Sequence, residues 1–144
     1  MKAIKYLIIT LLFSATSSAI ACKPGGLEKF IKFEKEDATI GVSRAKDIAL
    51  WFIDWRDIDG ISSVLVHVDH NEGSDVSRNI SSERLSNVSK LLAPLVAQKV
   101  KIEYINSPRK SDIKVVDDYY FNTLGISIQP KCIETQSCCG GNMR

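Results

Sequence analysis

Ile61-Ser62-Ser63-Val64-Leu65-Val66-His67-Val68-Asp69, followed after a polar interval by Arg84-Leu85-Ser86-Asn87-Val88-Ser89-Lys90-Leu91-Leu92, decides the fold. In the first run Val64, Val66 and Val68 alternate with Leu65 and His67, the two-residue period of a strand rich in β-branched side chains. In the second, Leu85, Val88, Leu91 and Leu92 recur at helical spacing, with Ser81 or Ser82 as the N-cap and Pro94 as the stop. The polar stretch from Asp69 to Asn79, which holds Gly73, reads as the loop between them. A strand with one face packed under a helix is the unit of a layered domain.

The flanks repeat the pattern. Ile31-Lys32-Phe33 reads as a short first strand. Ala45, Ile48, Ala49, Phe52 and Ile53 mark a helix capped by Ser43 and ended by the turn Asp57-Ile58-Asp59-Gly60. Trp51 and Trp55, four residues apart, belong to packing rather than to a ligand-stacking platform. Downstream, Val100-Lys101-Ile102-Glu103-Tyr104 alternates as a strand, and Ile126-Ser127-Ile128 is a final strand stopped by Pro130. The predicted architecture is an α/β (α+β) sandwich: a βαβαβ-β mixed sheet with helices on one face.

The chain has 144 residues, 44% apolar and 25% charged, which excludes a disordered or fibrous protein and suits one domain. Lys2 and Lys5 are two of its 19 basic residues, so the remainder carries 17 basic and 17 acidic side chains. A chain so balanced is not expected to bind nucleic acid or an anionic membrane through long-range charge.

Residues 1–21 have the form of an export signal. Lys2 and Lys5 precede the apolar run Tyr6 to Phe13, and Ala19-Ile20-Ala21 has the A-x-A form of a cleavage site. The apolar run is too short to span a bilayer, so no transmembrane segment is expected in the mature chain, 22–144. Cleavage there makes Cys22 the first residue. Two fates compete for it: lipidation, giving an outer-membrane lipoprotein, or a disulfide in a periplasmic protein. The even set Cys22, Cys132, Cys138 and Cys139 favours disulfides, by any of three connectivities. Vicinal Cys138 and Cys139 do not pair readily with each other. The tail from about residue 130 to 144 is expected to be irregular and tied down by these bridges.

Asp69, at the strand's end, and Arg84, placed near the start of the second helix by the Ser81 cap, would flank a shallow pocket. There a carboxylate faces an ammonium, while a guanidinium and helix N–H groups face a carboxylate. An arginine in a helix's first turn opposes the helix dipole, which suggests function rather than stability. His67-x-Asp69-His70 contains metal-ligand types, but two histidines and one carboxylate in a loop are more often solvated, and no metal or cofactor is expected. No paired-carboxylate or Ser–His–Asp arrangement is identifiable, so no enzyme is expected.

Val66-His67-Val68-Asp69, Gly73 and Ile80-Ser81-x-x-Arg84-Leu85 together resemble the G-H-T-D…G…L-S-x-x-R-A signature of OmpA C-terminal-like, peptidoglycan-associated domains. The resemblance runs from about Ile31 to Tyr104, and the Asp69–Arg84 separation is the family's. It implies an OmpA-like fold, a location in the periplasm or cell envelope, and noncovalent binding of the diaminopimelate of the peptidoglycan stem peptide by Asp69 and Arg84. Val66 and Val68 depart from the family's glycine and threonine, Ser77 replaces its loop asparagine, and Asn122-Thr123-Leu124-Gly125 lacks the arginines of its N-R-R-V strand. These departures leave a second expectation open: a periplasmic protein-binding factor, such as an inhibitor, immunity or assembly protein, on the same scaffold with the wall site lost.

Overall fold

A computed structural model describes residues 27–58, 60–111 and 119–134. The stretch expected to be an export signal, residues 1–21, and Cys22, Cys138 and Cys139 lie outside the described residues. Strand β1 spans Glu28–Lys32, helix α1 Val42–Ile58, strand β2 Ile61–Asn71, helix α2 Asp75–Leu92, strand β3 Lys101–Arg109 and strand β4 Thr123–Pro130. The sheet order is β1-β4-β2-β3; β2 and β3 run parallel, and β4 lies antiparallel to both β1 and β2. This is the expected βαβαβ-β mixed sheet.

The core follows from the alternation. Val64, Val66 and Val68 of β2, Leu124, Ile126 and Ile128 of β4, and Ile31 of β1 form one buried cluster with Ile48 and Phe52 of α1 and Val88 and Leu92 of α2. Trp51 and Trp55 pack half-buried against it, the packing role their spacing suggested. Both helices thus cover the same face, and Phe30, Leu65, His67, Asp69 and Gly125 belong to the opposite one. Burial of this cluster is the main favourable term in folding, at about 25 cal/mol per Å² of apolar surface.

Several boundaries differ from expectation. β1 occupies Glu28–Lys32 rather than Ile31–Phe33, and α1 begins at Val42, so Ser43 lies inside the helix rather than capping it. β2 runs three residues past Val68, because His70 continues the buried alternation at 5% exposure and hydrogen-bonds Asn106 Oδ1 on β3 at 2.7 Å. β3 extends through Pro108, which an edge strand tolerates. The stretch expected as an irregular tail begins with a helical turn, Lys131–Glu134, whose Cys132 is disulfide-bonded.

The start of α2 is a larger correction. The helix begins at Asp75, not after Ser81 or Ser82. Ser74 is the N-cap, with extended φ −109° and ψ 105°, and its hydroxyl accepts the Ser77 N–H at 3.2 Å. Gly73, at φ +85°, supplies the left-handed turn before it. The stretch expected as a loop is therefore largely helix. Its buried stripe continues upstream from Leu92 and Val88 through Arg84 and Ser81, two polar residues that a hydrophobic pattern does not register.

Candidate functional site

Serines fasten the N-terminal half of α2 to the end of β2. The Asn71 N–H donates to Ser77 Oγ at 2.9 Å, and Ser81 Oγ donates to the Asp69 carbonyl at 3.1 Å. Beside this seam opens a cleft of about 300 Å³, walled by Glu36, Asn71, Ser74, Ser77, Arg84 and Phe121 among others. Glu36, at the rim, holds φ +62°, an uncommon conformation for a residue with a side chain.

Arg84 is not at the start of α2, and it is not exposed. It sits in the middle of the helix at 1% exposure, over the ring of Phe33 at 4.7 Å. Its Nε donates to the Asp37 carbonyl, one terminal nitrogen donates to the Phe121 carbonyl, and the other donates to the Glu34 carbonyl and Asn122 Oδ1. The guanidinium thus joins the β1–α1 connection to the segment before β4. Burial pushes its pKa below the usual arginine value, and nearby Asp37 partly offsets this. The expected conflict with the helix dipole does not exist, since that effect is confined to the end turns.

Asp69 looks the other way. Val68 and His70 are buried under the helices, so Asp69 faces the open side of the sheet. There its Oδ2 accepts from Arg109 Nε at 2.8 Å, and the Arg109 guanidinium lies 3.8 Å from the centroid of the Tyr120 ring. Asp69 lines a separate cavity of about 70 Å³ with Phe30, His67, Tyr119, Tyr120, Thr123 and Gly125. The structure therefore does not bring Asp69 and Arg84 into one cavity. Arg109, Tyr120 and Thr123 come from β3, β4 and the segment between them, and nothing in their sequence context marks them as neighbours of Asp69.

The same alternation separates His67 from His70. Among the described residues no three His, Cys, Asp or Glu side chains are grouped to hold a metal. No helix among them is long and apolar enough to cross a membrane.

No protein-family model matches the chain, and no curated protein does. Solved structures do. The OmpA-like domain of FopA1 from Francisella tularensis subsp. tularensis SCHU S4 superposes with a TM-score of 0.50 at 20% identity, over 72% of each chain. The cell wall anchor of the T6SS from Pseudomonas aeruginosa gives 0.47 at 16% identity, over 72% of this chain and 80% of that one. The fold is that of an OmpA-like domain, as the resemblance of the motif residues implied.

Proposed function

We propose that the chain is an exported, noncatalytic module of the cell envelope that binds peptidoglycan noncovalently through the cleft at the start of α2. The observation that carries this reading is the group of polar side chains, Arg84, Asn71, Ser74 and Ser77, that share the cleft with Val76, Ile80 and Phe121. Arg84 uses four of its five N–H groups within the fold and lines the cleft beside Ser74, Ser77 and Asn71. The cleft thus offers donors and a buried positive charge to a carboxylate, and Glu36 at the rim offers an acceptor to an ammonium. A diaminopimelate end of a stem peptide carries both groups. In this reading Arg84 acts as the floor of the site. Asp69 takes the ammonium only after releasing Arg109, so Glu36 is the nearer acceptor. The leader at residues 1–21, the periplasmic location and a disulfide-paired rather than lipidated Cys22 belong to the same proposal.

A second reading, a protein-binding factor on this scaffold, is favoured by one observation: both expected site residues are already partnered inside the fold, Arg84 by carbonyls and Asp69 by Arg109. Co-sedimentation of the purified protein with sacculi decides between them. Wall binding predicts pelleting with diaminopimelate-containing sacculi, loss with diaminopimelate-free wall, and weakening by Glu36→Gln and Ser77→Ala. A wild-type protein that stays in the supernatant at low salt refutes wall binding and leaves the protein-binding reading.

A further inference from the structure

The open face of the sheet carries a second, differently built site. Phe30 on β1 and His67 on β2 both pair in register with Gly125 on β4, so the three form one row across three strands. Gly125 is required there by its neighbour rather than by its backbone. A Cβ at this position would lie 2.2 Å from His67 Cε1 and 2.8–2.9 Å from both ring nitrogens, so the imidazole rests on the glycine. Phe30 and Tyr119 stand 55% and 51% exposed at the rim, an uncovered aromatic surface. At the base of the small cavity lies Thr123, whose Oγ1 is buried and has no hydrogen-bond partner among the described residues. A buried hydroxyl left unpaired is costly, and such a group in a native fold calls for a partner supplied from outside.

The charge of the site narrows what that partner is. Asp69 and Arg109 neutralise each other at 2.8 Å, and among the described residues no other Asp, Glu, Lys or Arg lines the cavity, so the cavity itself offers no unbalanced charge to a phosphate, an acidic lipid or a nucleic acid. What remains is aromatic surface for C–H groups, with a hydroxyl, an imidazole and a carboxylate oxygen for hydrogen bonds. The cavity, at about 70 Å³, has room for roughly two water molecules, or for one substituent of a larger ligand lying across the rim. We propose that this face binds a neutral pyranose oligosaccharide: a sugar ring stacks on Phe30 and Tyr119, and one of its hydroxyl-bearing or acetamido substituents enters the cavity to meet Thr123 Oγ1 and His67. The site lies on the sheet face away from the helices and does not depend on the cleft beside α2.

The test is a titration of the ¹⁵N-labelled full chain with two neutral probes, cellotetraose and the β-1,4-linked tetramer of N-acetylglucosamine, followed by NMR. Saturable shifts at Phe30, His67 and Gly125 with either sugar are expected, and the stronger probe reports whether a hydroxyl or an acetamido group enters. Phe30→Ala and Tyr119→Ala weaken binding by about tenfold, as loss of an aromatic stacking partner does. Tyr104→Ala, partly exposed at the far edge, leaves binding unchanged. Thr123→Val is the discriminating variant: it removes an unpaired hydroxyl, so the free protein keeps or gains stability while sugar affinity falls at least severalfold. Absence of saturable shifts with both sugars overturns the proposal. So do shifts confined to Asn71, Ser74 and Ser77, or a Thr123→Val protein that binds as tightly as the parent. Sacculus binding through the cleft is read independently, since Glu36→Gln and Ser77→Ala do not touch this face.

Discussion

Replacing Arg84 should destabilise the domain rather than merely disarm its cleft. Arg84→Ala removes four hydrogen bonds. The carbonyls of Glu34, Asp37 and Phe121 are near enough to the surface for water to replace part of what is lost, about 0.5–1.5 kcal/mol each. Asn122 Oδ1, inside a buried contact, loses a charged donor, at about 1–3 kcal/mol. Truncation also leaves a void above Phe33, whose ring is 2% exposed. Against these losses stands the relief of taking a desolvated guanidinium out of the interior, the same burial that depresses its pKa. The net expectation is a loss of about 3–5 kcal/mol, or a fall in Tm of roughly 10–20 °C for a domain of this length. Arg84→Lys keeps the charge, but a single ammonium cannot span acceptors on separate segments, so it too should destabilise, by about 1–3 kcal/mol. Urea and thermal unfolding followed by circular dichroism measure both. An Arg84→Ala protein as stable as the parent, or more stable, would refute the clamp and restore a surface role for this residue.

Four further outcomes are expected. Leu92→Ala should cost about 2–5 kcal/mol in urea unfolding, whereas Ser86→Ala, on the exposed side of α2, should cost less than about 0.5 kcal/mol; equal costs would mean the helix is misphased. Gly125→Ala should destabilise by about 1–3 kcal/mol through overpacking against His67, and His67→Ala should suppress that cost in the double variant. The Asp37 carboxyl is held below its ordinary pKa chiefly by the Thr39 N–H at 2.8 Å. Its stabilising contribution is therefore present above the ordinary carboxylate range and lost as pH falls through the depressed value, and Asp37→Asn should flatten that acid limb of the stability–pH curve. Intact mass of the exported protein should correspond to residues 22–144 less four hydrogens, for two disulfides; a diacylglycerol on Cys22 would assign it to a lipoprotein instead.

What was legible in the sequence follows from which buried positions are apolar. β2 and β4 could be read because Val64, Val66, Val68, Ile126 and Ile128 line a single buried face, and the order of elements followed from them. The first two turns of α2 were hidden because its upstream buried positions are Ser81 and Arg84, which satisfy themselves by hydrogen bonds rather than by burying apolar area. The end of β2 was hidden for the same reason, since His70 occupies a core position through Asn106. Together these two misjudged boundaries misplaced the site. Once β2 continues through His70, Asp69 becomes an interior strand residue facing away from the helices, and it cannot share a pocket with a residue on α2's buried stripe. The 15-residue spacing between Asp69 and Arg84 reports the scaffold faithfully while leaving their partners open.

The position of β4 bears on the order in which the domain can form. It lies between β1 and β2, so the first strand has no neighbour in the sheet until the last one arrives; Ile31 waits for Leu124, and Lys29 for Ile126. Closing that span carries a large loop entropy and favours slow folding. A nascent chain can assemble the β2–α2–β3 unit early, but it leaves the underside of α1 without the strands that complete its cover. The finished fold is thus withheld until synthesis has passed residue 130. A polypeptide kept open in this way meets the condition for threading through a translocation channel in extended form and folding only on the far side.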